Sequence, residues 1–363
     1  MELVDLKRLS LPDGSSLGAS SGEVPAYAEA KNMAPIRADD ALRLHADDEN
    51  LRLAQTYIQK GLRWAPLRRC AQKPAAHRQE FPSRVLLELT SRCNLRCTMC
   101  PRNILRRPEM DLPVELAMRC IDEMDRWNID GLWIYNIGES MLHPEFRKIL
   151  AYCGTKKNLG SIWLSTNGQE LSEENLDALM DSSLSFINLS VNAVTEETYR
   201  RIAPTGSLQT LRSNLARLKE AKMRRKLTHR PWLRLQIIDQ PQALGEIDAF
   251  LRAHADDGDI LSINLLEAFS QNVATNIDHA RTRDRGTIKH CRRIERGDCF
   301  IFSDGEVGFC DTDFNHELSI GNIRDRSISE LWSGDIRTRF RRSNEEGRLD
   351  DIPLCSRCMD YDL

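Results

Sequence analysis

At 363 residues with a formal net charge of -3, the chain is long enough for one large domain and a smaller one. Hydrophobic residues at 41% and charged residues at 29% are those of an ordinary globular protein, and the net charge offers a polyanion no basic field, so no nucleic-acid partner is expected. No run approaches the roughly 18 apolar residues of a membrane span, and the N-terminus has no apolar core of a secretory signal, so no membrane partner is expected either.

In chain order, residues 1–40 are rich in Gly, Ser and Pro ("LPDGSSLGASSGEVP") and read as loosely ordered. From residue 40 a helical period puts Leu42, Leu51, Leu53 and Tyr57 on inner faces and stops at Pro66. Residues 1–80 thus read as an N-terminal extension, partly disordered and partly helical. A repeating alternation follows. Strands are expected at 84–89 ("RVLLEL"), 131–137, 161–165, 186–191, 233–238 and 260–266, with amphipathic patterns such as "PVELAMRCIDEMDRW" and "SLQTLRSNLARLKEAK" between them. Short apolar strands separated by such helices make βαβ units and a parallel sheet. The fold class is therefore α/β, and six units give a partial (β/α)6 barrel over residues 81–285. In that architecture the loops after the strands carry the chemistry.

Residues 286–363 break the pattern. "CFIFSDGEVGFC" reads as a β-hairpin turning at Asp304–Gly305, "SISELWSGDIRTRFRR" as one helix, and "PLCSRCMDYDL" as a cysteine-bearing close. This is a small cysteine-rich C-terminal domain.

The chain has eleven cysteines, and eight fall in two groups, Cys93 to Cys100 and Cys291 to Cys358. Cys93, Cys97 and Cys100 sit in "ELTSRCNLRCTMCPRN", straight after the first expected strand. Thiolates are soft ligands suited to iron–sulfur clusters, zinc or copper. A Cys-x3-Cys-x2-Cys loop can reach three irons of a cubane and leave the fourth without a protein ligand, and an open coordination position marks a centre that does chemistry.

"CNLRCTMC" resembles the signature of the radical S-adenosylmethionine (SAM) enzymes. The resemblance covers roughly residues 84–270. It implies a 4Fe-4S cluster on Cys93, Cys97 and Cys100, with SAM on the open iron. "NIGES" then resembles the segment that binds the SAM amino group, which implies Glu139 as acceptor with Ser140 beside it, where the family commonly has Pro. "LSTNG" resembles the ribose-binding segment, through Ser165 and Asn167. "LSVNA" resembles the segment that meets the methionyl carboxylate or ribose, through Ser190 and Asn192. Met99 stands where the family often has an aromatic residue near adenine.

The spacing of Cys291, Gly305, Cys310, Cys355 and Cys358 resembles the twitch form of the SPASM extension, which implies a second, auxiliary 4Fe-4S cluster on the four cysteines. Taken as a thiol set alone, these residues suit structural zinc as well as iron–sulfur. Cys299 has three readings: a ligand in place of Cys291, a packed thiol of the hairpin, or a catalytic hydrogen-atom donor to a substrate radical. Cys120 and Cys153 fall on helical patterns and read as core. Cys70 has no assigned role.

The family resemblance implies an enzyme, a radical SAM oxidoreductase or epimerase. Its expected substrate is a small polar molecule (aminocyclitol, sugar or nucleoside), because the layout resembles scyllo-inosamine dehydrogenase-type natural-product enzymes. It also implies an electron donor such as flavodoxin or ferredoxin. Oxygen-labile clusters and free thiols imply a cytoplasmic setting. Three other readings stay open: a maturase of a ribosomal peptide precursor, a radical decarboxylase or dehydratase of a sugar, and a non-enzymatic metal-binding scaffold.

Overall fold

The computed structural model describes residues 79–360, apart from 228–229, 244, 255, 271, 274–289 and 359, together with two three-residue strands, β1 (Leu3–Asp5) and β2 (Arg43–His45). β1 and β2 pair antiparallel with Val4 opposite Leu44. At these positions a strand pair replaces the loose segment and the helix expected from local pattern. The pairing joins residues some forty positions apart, which local periodicity cannot register. The remainder of the expected helical segment, and Cys70, lie outside the described residues.

The barrel runs β3 (Arg84–Leu87), α1 (Val114–Arg126), β4 (Gly131–Ile134), α2 (Phe146–Gly154), β5 (Ser161–Thr166), α3 (Glu173–Asp181), β6 (Phe186–Ser190), α4 (Glu196–Ile202), α5 (Leu208–Arg224), β7 (Trp232–Asp239), α6 (Ile247–Ala253) and β8 (Ile260–Leu265). The strands lie side by side in chain order, all parallel, as a partial (β/α)6 barrel requires. α1 shows why the helices pack outside. Ala117, Cys120, Ile121 and Met124 recur at helical spacing and bury against Val85, Leu132 and Ile134 of the strands. Cys153 of α2 joins the same core. The short α4 has no counterpart in the expected elements; Thr195 caps it by accepting from the Thr198 N–H.

Side chains on the inner face alternate with those on the outer face. Leu86, Trp133, Trp163, Phe186 and Trp232 are register partners across five strands, so they form one largely aromatic layer. Trp163 stacks on Phe186 with centroids 3.8 Å apart and meets Trp133 edge-on at 6.3 Å. This layer plugs the barrel. One step further along the strands the next inward positions are Ser165, Asn188 and Arg234, again register partners.

The C-terminal region adds α7 (Arg292–Arg296), β9 (Asp298–Ile301), β10 (Glu306–Gly308), β11 (Gly321–Asn322), α8 (Ile328–Trp332) and α9 (Asp335–Glu345). The hairpin forms as expected, with Gly305 at φ +91°, a conformation that favours glycine. Its attachment was not expected. β9 pairs in parallel with β3, Cys299 opposite Val85 and Phe300 opposite Leu86, so one nine-stranded sheet runs β11-β10-β9-β3-β4-β5-β6-β7-β8. The free edge of β3 is thereby satisfied by the cysteine-rich region itself. The single helix expected at 327–342 is two, α8 and α9, separated at Ser333–Gly334; Ser327 and Glu330 make a reciprocal capping box on α8.

Candidate active site

The loop after β3 carries Cys93, Cys97 and Cys100, and all three thiols line one cavity of about 400 Å³ at the C-terminal ends of the strands. Backbone contacts shape the loop: Thr98 N–H donates to Ile202 O at 2.8 Å, and Cys100 N–H to Cys97 O at 3.1 Å. Leu95 anchors it, buried against Tyr199 and Leu208. Gly138 allows the segment after β4 to press against this loop, since a Cβ there would lie 1.9 Å from the Thr90 carbonyl oxygen.

Burial raises all three thiols, Cys97 to about 12 and Cys100 to about 11. The neighbouring thiols oppose ionisation of Cys97 further. Three thiolates therefore need a positively charged partner between them, and an iron–sulfur cluster meets that need. The donor set fits the group.

Glu139 lines the cavity and is 2% exposed. Its carboxylate accepts from Asn167 N–H at 2.8 Å, Thr166 Oγ1 at 3.0 Å and Met141 N–H at 3.4 Å. Burial outweighs these bonds and pushes its pKa up to about 7. A carboxylate with this much acceptor capacity can take one more donor, such as an ammonium.

The other expected SAM contacts divide. Met99, Ser165, Asn167, Ser190 and Asn192 all line the cavity. Asn167 directs its side-chain amide at Asn94 Oδ1 (2.7 Å) and towards Cys93 Sγ (3.7 Å), so it also supports the cysteine loop. Ser140 does not reach the cavity. Its hydroxyl donates to Ile134 O at 3.1 Å, because a 3-10 turn at Ser140–Leu142 folds it back under β4. Asn192 holds φ at +59° and leaves Oδ1 buried without a protein partner.

Cys299 needs correction as a candidate catalytic residue. It is 0% exposed in the main hydrophobic core, on the face of β9 turned away from both cysteine-lined cavities. Burial drives its thiol far above the ordinary range. The packed-thiol reading matches this placement, while a ligand or a hydrogen donor would need access that the site lacks.

Cys291, Cys310, Cys355 and Cys358 come together around a second cavity with Ser270, Arg293 and Leu354. Hydrogen bonds already point at two of the sulfurs: Thr312 Oγ1 is 3.3 Å from Cys310 Sγ, and Asp360 N–H donates to Cys358 Sγ at 3.3 Å. Such donors steady thiolates that bind a metal centre. Among the described residues, no three His, Cys, Asp or Glu side chains stand at the spacing of a single metal ion. The four thiols line one cavity, a soft-ligand set that suits an iron–sulfur cluster.

Sequence reasoning missed several lining residues. Asn188, Gln236, Asn264, Glu267 and Asp311 all reach the first cavity. The first three are polar residues at inward positions of otherwise apolar strands ("FINLS", "WLRLQIID", "ILSINL"), a signal that period-2 counting could have raised. Arg293 joins the two cavities. It lines the second, donates to Asp360 O at 2.6 Å, and pairs with Glu267 at 3.1 Å and with Asp311, both on the wall of the first.

Comparison with known proteins agrees with this geometry. Residues 87–236 match the profile of the radical SAM superfamily, and residues 291–359 match the SPASM iron–sulfur cluster-binding domain. The chain is similar to the tungsten-containing aldehyde ferredoxin oxidoreductase cofactor-modifying protein of Pyrococcus furiosus, 24% identical over 297 residues that cover 70% of this chain and 82% of that one. A segment of 54 residues is 39% identical to the S-adenosyl-L-methionine-dependent 2-deoxy-scyllo-inosamine dehydrogenase of Niallia circulans, covering 15% of this chain and 22% of that enzyme. The fold is shared with Streptococcus suis SuiB bound to its precursor peptide SuiA, at a TM-score of 0.58 and 11% identity, over 82% of this chain and 75% of that one.

Proposed function

The chain belongs to the radical SAM superfamily and carries a SPASM iron–sulfur domain, and we propose that it oxidises a small polar substrate held in the barrel cavity, an aminocyclitol, sugar or nucleoside. The family makes it an enzyme with two 4Fe-4S clusters and SAM as cofactors. When bound, the first cluster and SAM supply a 5′-deoxyadenosyl radical that takes a hydrogen atom from the substrate.

In this reading the chain's own residues do the following. Cys93, Cys97 and Cys100 hold the first cluster, and Asn167 steadies Cys93. Glu139 accepts a hydrogen bond from the SAM ammonium. Ser165, Ser190 and Asn192 offer oxygens to its ribose and methionyl end, and Met99 packs near the adenine. The aromatic layer excludes water beneath the substrate. Glu267 and Asp311, held by Arg293, take up the proton that an alcohol sheds on becoming a ketone. Cys291, Cys310, Cys355 and Cys358 would hold the auxiliary cluster, which would supply an acceptor for the second electron of a net oxidation.

One observation carries the proposal: the wall of the cysteine-lined cavity includes Asp311, next in the chain to Cys310 of the second set. A substrate there lies between a site for radical generation and a site for electron removal, as a net oxidation demands. The local similarity to an aminocyclitol dehydrogenase supports the substrate class. The first cluster needs an external reductant, for which we propose flavodoxin or ferredoxin. Oxygen-labile clusters belong in a reducing setting, which supports a cytosolic placement. Among the described residues no helix is long and apolar enough to cross a membrane.

The test is anaerobic turnover of reconstituted protein with SAM, a reductant and a panel of aminocyclitols, sugars and nucleosides. The expected result is 5′-deoxyadenosine together with a product two hydrogens lighter than one panel member. Oxidation of a peptide substrate, with none of the panel turned over, would overturn the proposal.

A further inference from the structure

The polar layer above the aromatic plug is a hydrogen-bonded ladder with a fixed direction. At one end Arg234, a donor only, gives Nη2–H to Asn264 Oδ1 at 3.1 Å and Nε–H to Ser262 Oγ at 3.0 Å. Asn264 Oδ1 is thereby an acceptor, so its amide group must donate. It does so to Gln236 Oε1 at 3.1 Å. The same Gln236 oxygen accepts from Asn188 Nδ2 at 3.2 Å, and Asn188 Nδ2 also donates to Ser165 Oγ at 2.9 Å. One guanidinium thus sets the orientation of three amides on β6, β7 and β8.

The chain of donors leaves one atom over. Asn188 has committed its amide nitrogen twice, and its Oδ1 is buried without a partner in a side chain 6% exposed on the cavity wall. An unmet buried acceptor costs about 1–3 kcal/mol. Turning the amide over would set its oxygen against that of Gln236, so the ladder cannot relieve the cost internally. The missing group is a donor that arrives with a ligand.

We infer that Asn188 Oδ1 is the specificity-determining acceptor for a substrate hydroxyl, so the substrate enters the layer with that hydroxyl facing β6. The inference rests on the small-molecule reading above and narrows it. Asn188 is the register partner of Ser165 and donates to its hydroxyl at 2.9 Å, so the acceptor lies at the border between the positions assigned to SAM and the rest of the polar layer. A site that hydrogen-bonds a hydroxyl rejects an analogue lacking it far more strongly than an apolar pocket rejects an extra methylene.

The experiment measures equilibrium binding of 2-deoxy-scyllo-inosamine, myo-inositol and cyclohexylamine to anaerobically reconstituted, SAM-saturated enzyme. The proteins are wild type, Asn188→Leu and Asn188→Ser. Both variants are expected to keep the wild-type cluster spectra, and at saturating SAM to lose about tenfold or more in affinity for the hydroxylated probe that wild type prefers. Cyclohexylamine, which offers the layer no hydroxyl, is expected to bind more weakly to wild type and to lose less on substitution. Wild-type affinity of either soluble, SAM-binding variant for the hydroxylated probe overturns the role of Asn188 and leaves the proposed function standing. Failure of wild type to bind either hydroxylated probe overturns the role of Asn188, and failure of the whole turnover panel overturns the proposed function with it.

Discussion

Glu88 and Arg107 form a buried, two-pronged ion pair, Nη1 to Oε1 at 2.6 Å and Nη2 to Oε2 at 2.7 Å, with side chains 1% and 2% exposed. Glu88 directly follows β3, and Arg107 closes the cysteine loop. Arg107 also donates from Nε to Phe314 O at 2.8 Å and lies 4.9 Å from the Phe302 ring centroid. Ser303, at the hairpin turn, gives its N–H and its hydroxyl to Glu88 Oε1 at 3.1 and 2.8 Å. One pair therefore ties the first strand, the cysteine loop and the auxiliary region together.

Breaking that pair from one side leaves a buried charge without compensation. Glu88→Ala or Arg107→Ala is expected to destabilise the protein by about 3–5 kcal/mol in urea unfolding, while the double variant Glu88→Leu/Arg107→Met recovers much of the loss. Single variants that unfold at the wild-type urea midpoint would remove the pair from this central position.

Iron content reports on the two thiol sets separately. Reconstituted wild type is expected to hold about eight irons per chain, and Cys97→Ala and Cys355→Ala about four each. Cys97→Ala should lose SAM cleavage altogether. Cys355→Ala should still cleave SAM but accumulate no oxidised product. Equal iron in Cys355→Ala and wild type would remove Cys355 from the ligand set.

Glu139 predicts a pH dependence for SAM binding. Its folded pKa of about 7 lies above the ordinary glutamate value of 4.5, so the fold favours the protonated carboxyl. Without SAM, that contribution to stability is complete below about pH 4.5 and is lost as pH rises through about 7. The SAM ammonium prefers the ionised form, so SAM affinity should rise with pH and level off above about 7, with a slope near tenfold per unit below it. Equilibrium dialysis across that range should show the slope in wild type and a flat profile in Glu139→Gln. Parallel profiles would exclude Glu139 as the ammonium acceptor.

Cys299 separates packing from chemistry. Cys299→Ala is expected to keep full iron content and turnover, and to lose about 1 kcal/mol of stability from the small cavity left in the core. Turnover that collapses while the protein stays folded and iron-loaded would restore Cys299 as a hydrogen donor.

Much of the molecule was legible in order. The six barrel strands and their helices came from local signals: short apolar runs such as "RVLLEL", and amphipathic helical patterns between them such as the one that sets Ala117, Cys120, Ile121 and Met124 on one face of α1. The hairpin turn at Asp304–Gly305 was equally local. The break at Ser333–Gly334 was missed because residues on both sides share one amphipathic pattern. The pairing of β9 with β3 was missed because it joins segments more than two hundred positions apart.

The site divides along the same line. Cys93, Cys97 and Cys100 lie within one loop, so the amino-acid order alone determined that three thiols meet at one cavity and carried the resemblance to the family. Asn188, Gln236, Asn264 and Arg234 are unremarkable in their own strands. They become a directed ladder only when β6, β7 and β8 stand in register. Ser140 turned under β4 and Cys299 turned into the core, because in each case a backbone path, not a residue type, decided which way the side chain faces. Spacing along a chain determines which ligands one loop can offer; the direction of a side chain, and the partner it finds across a sheet, are properties of the packed structure alone.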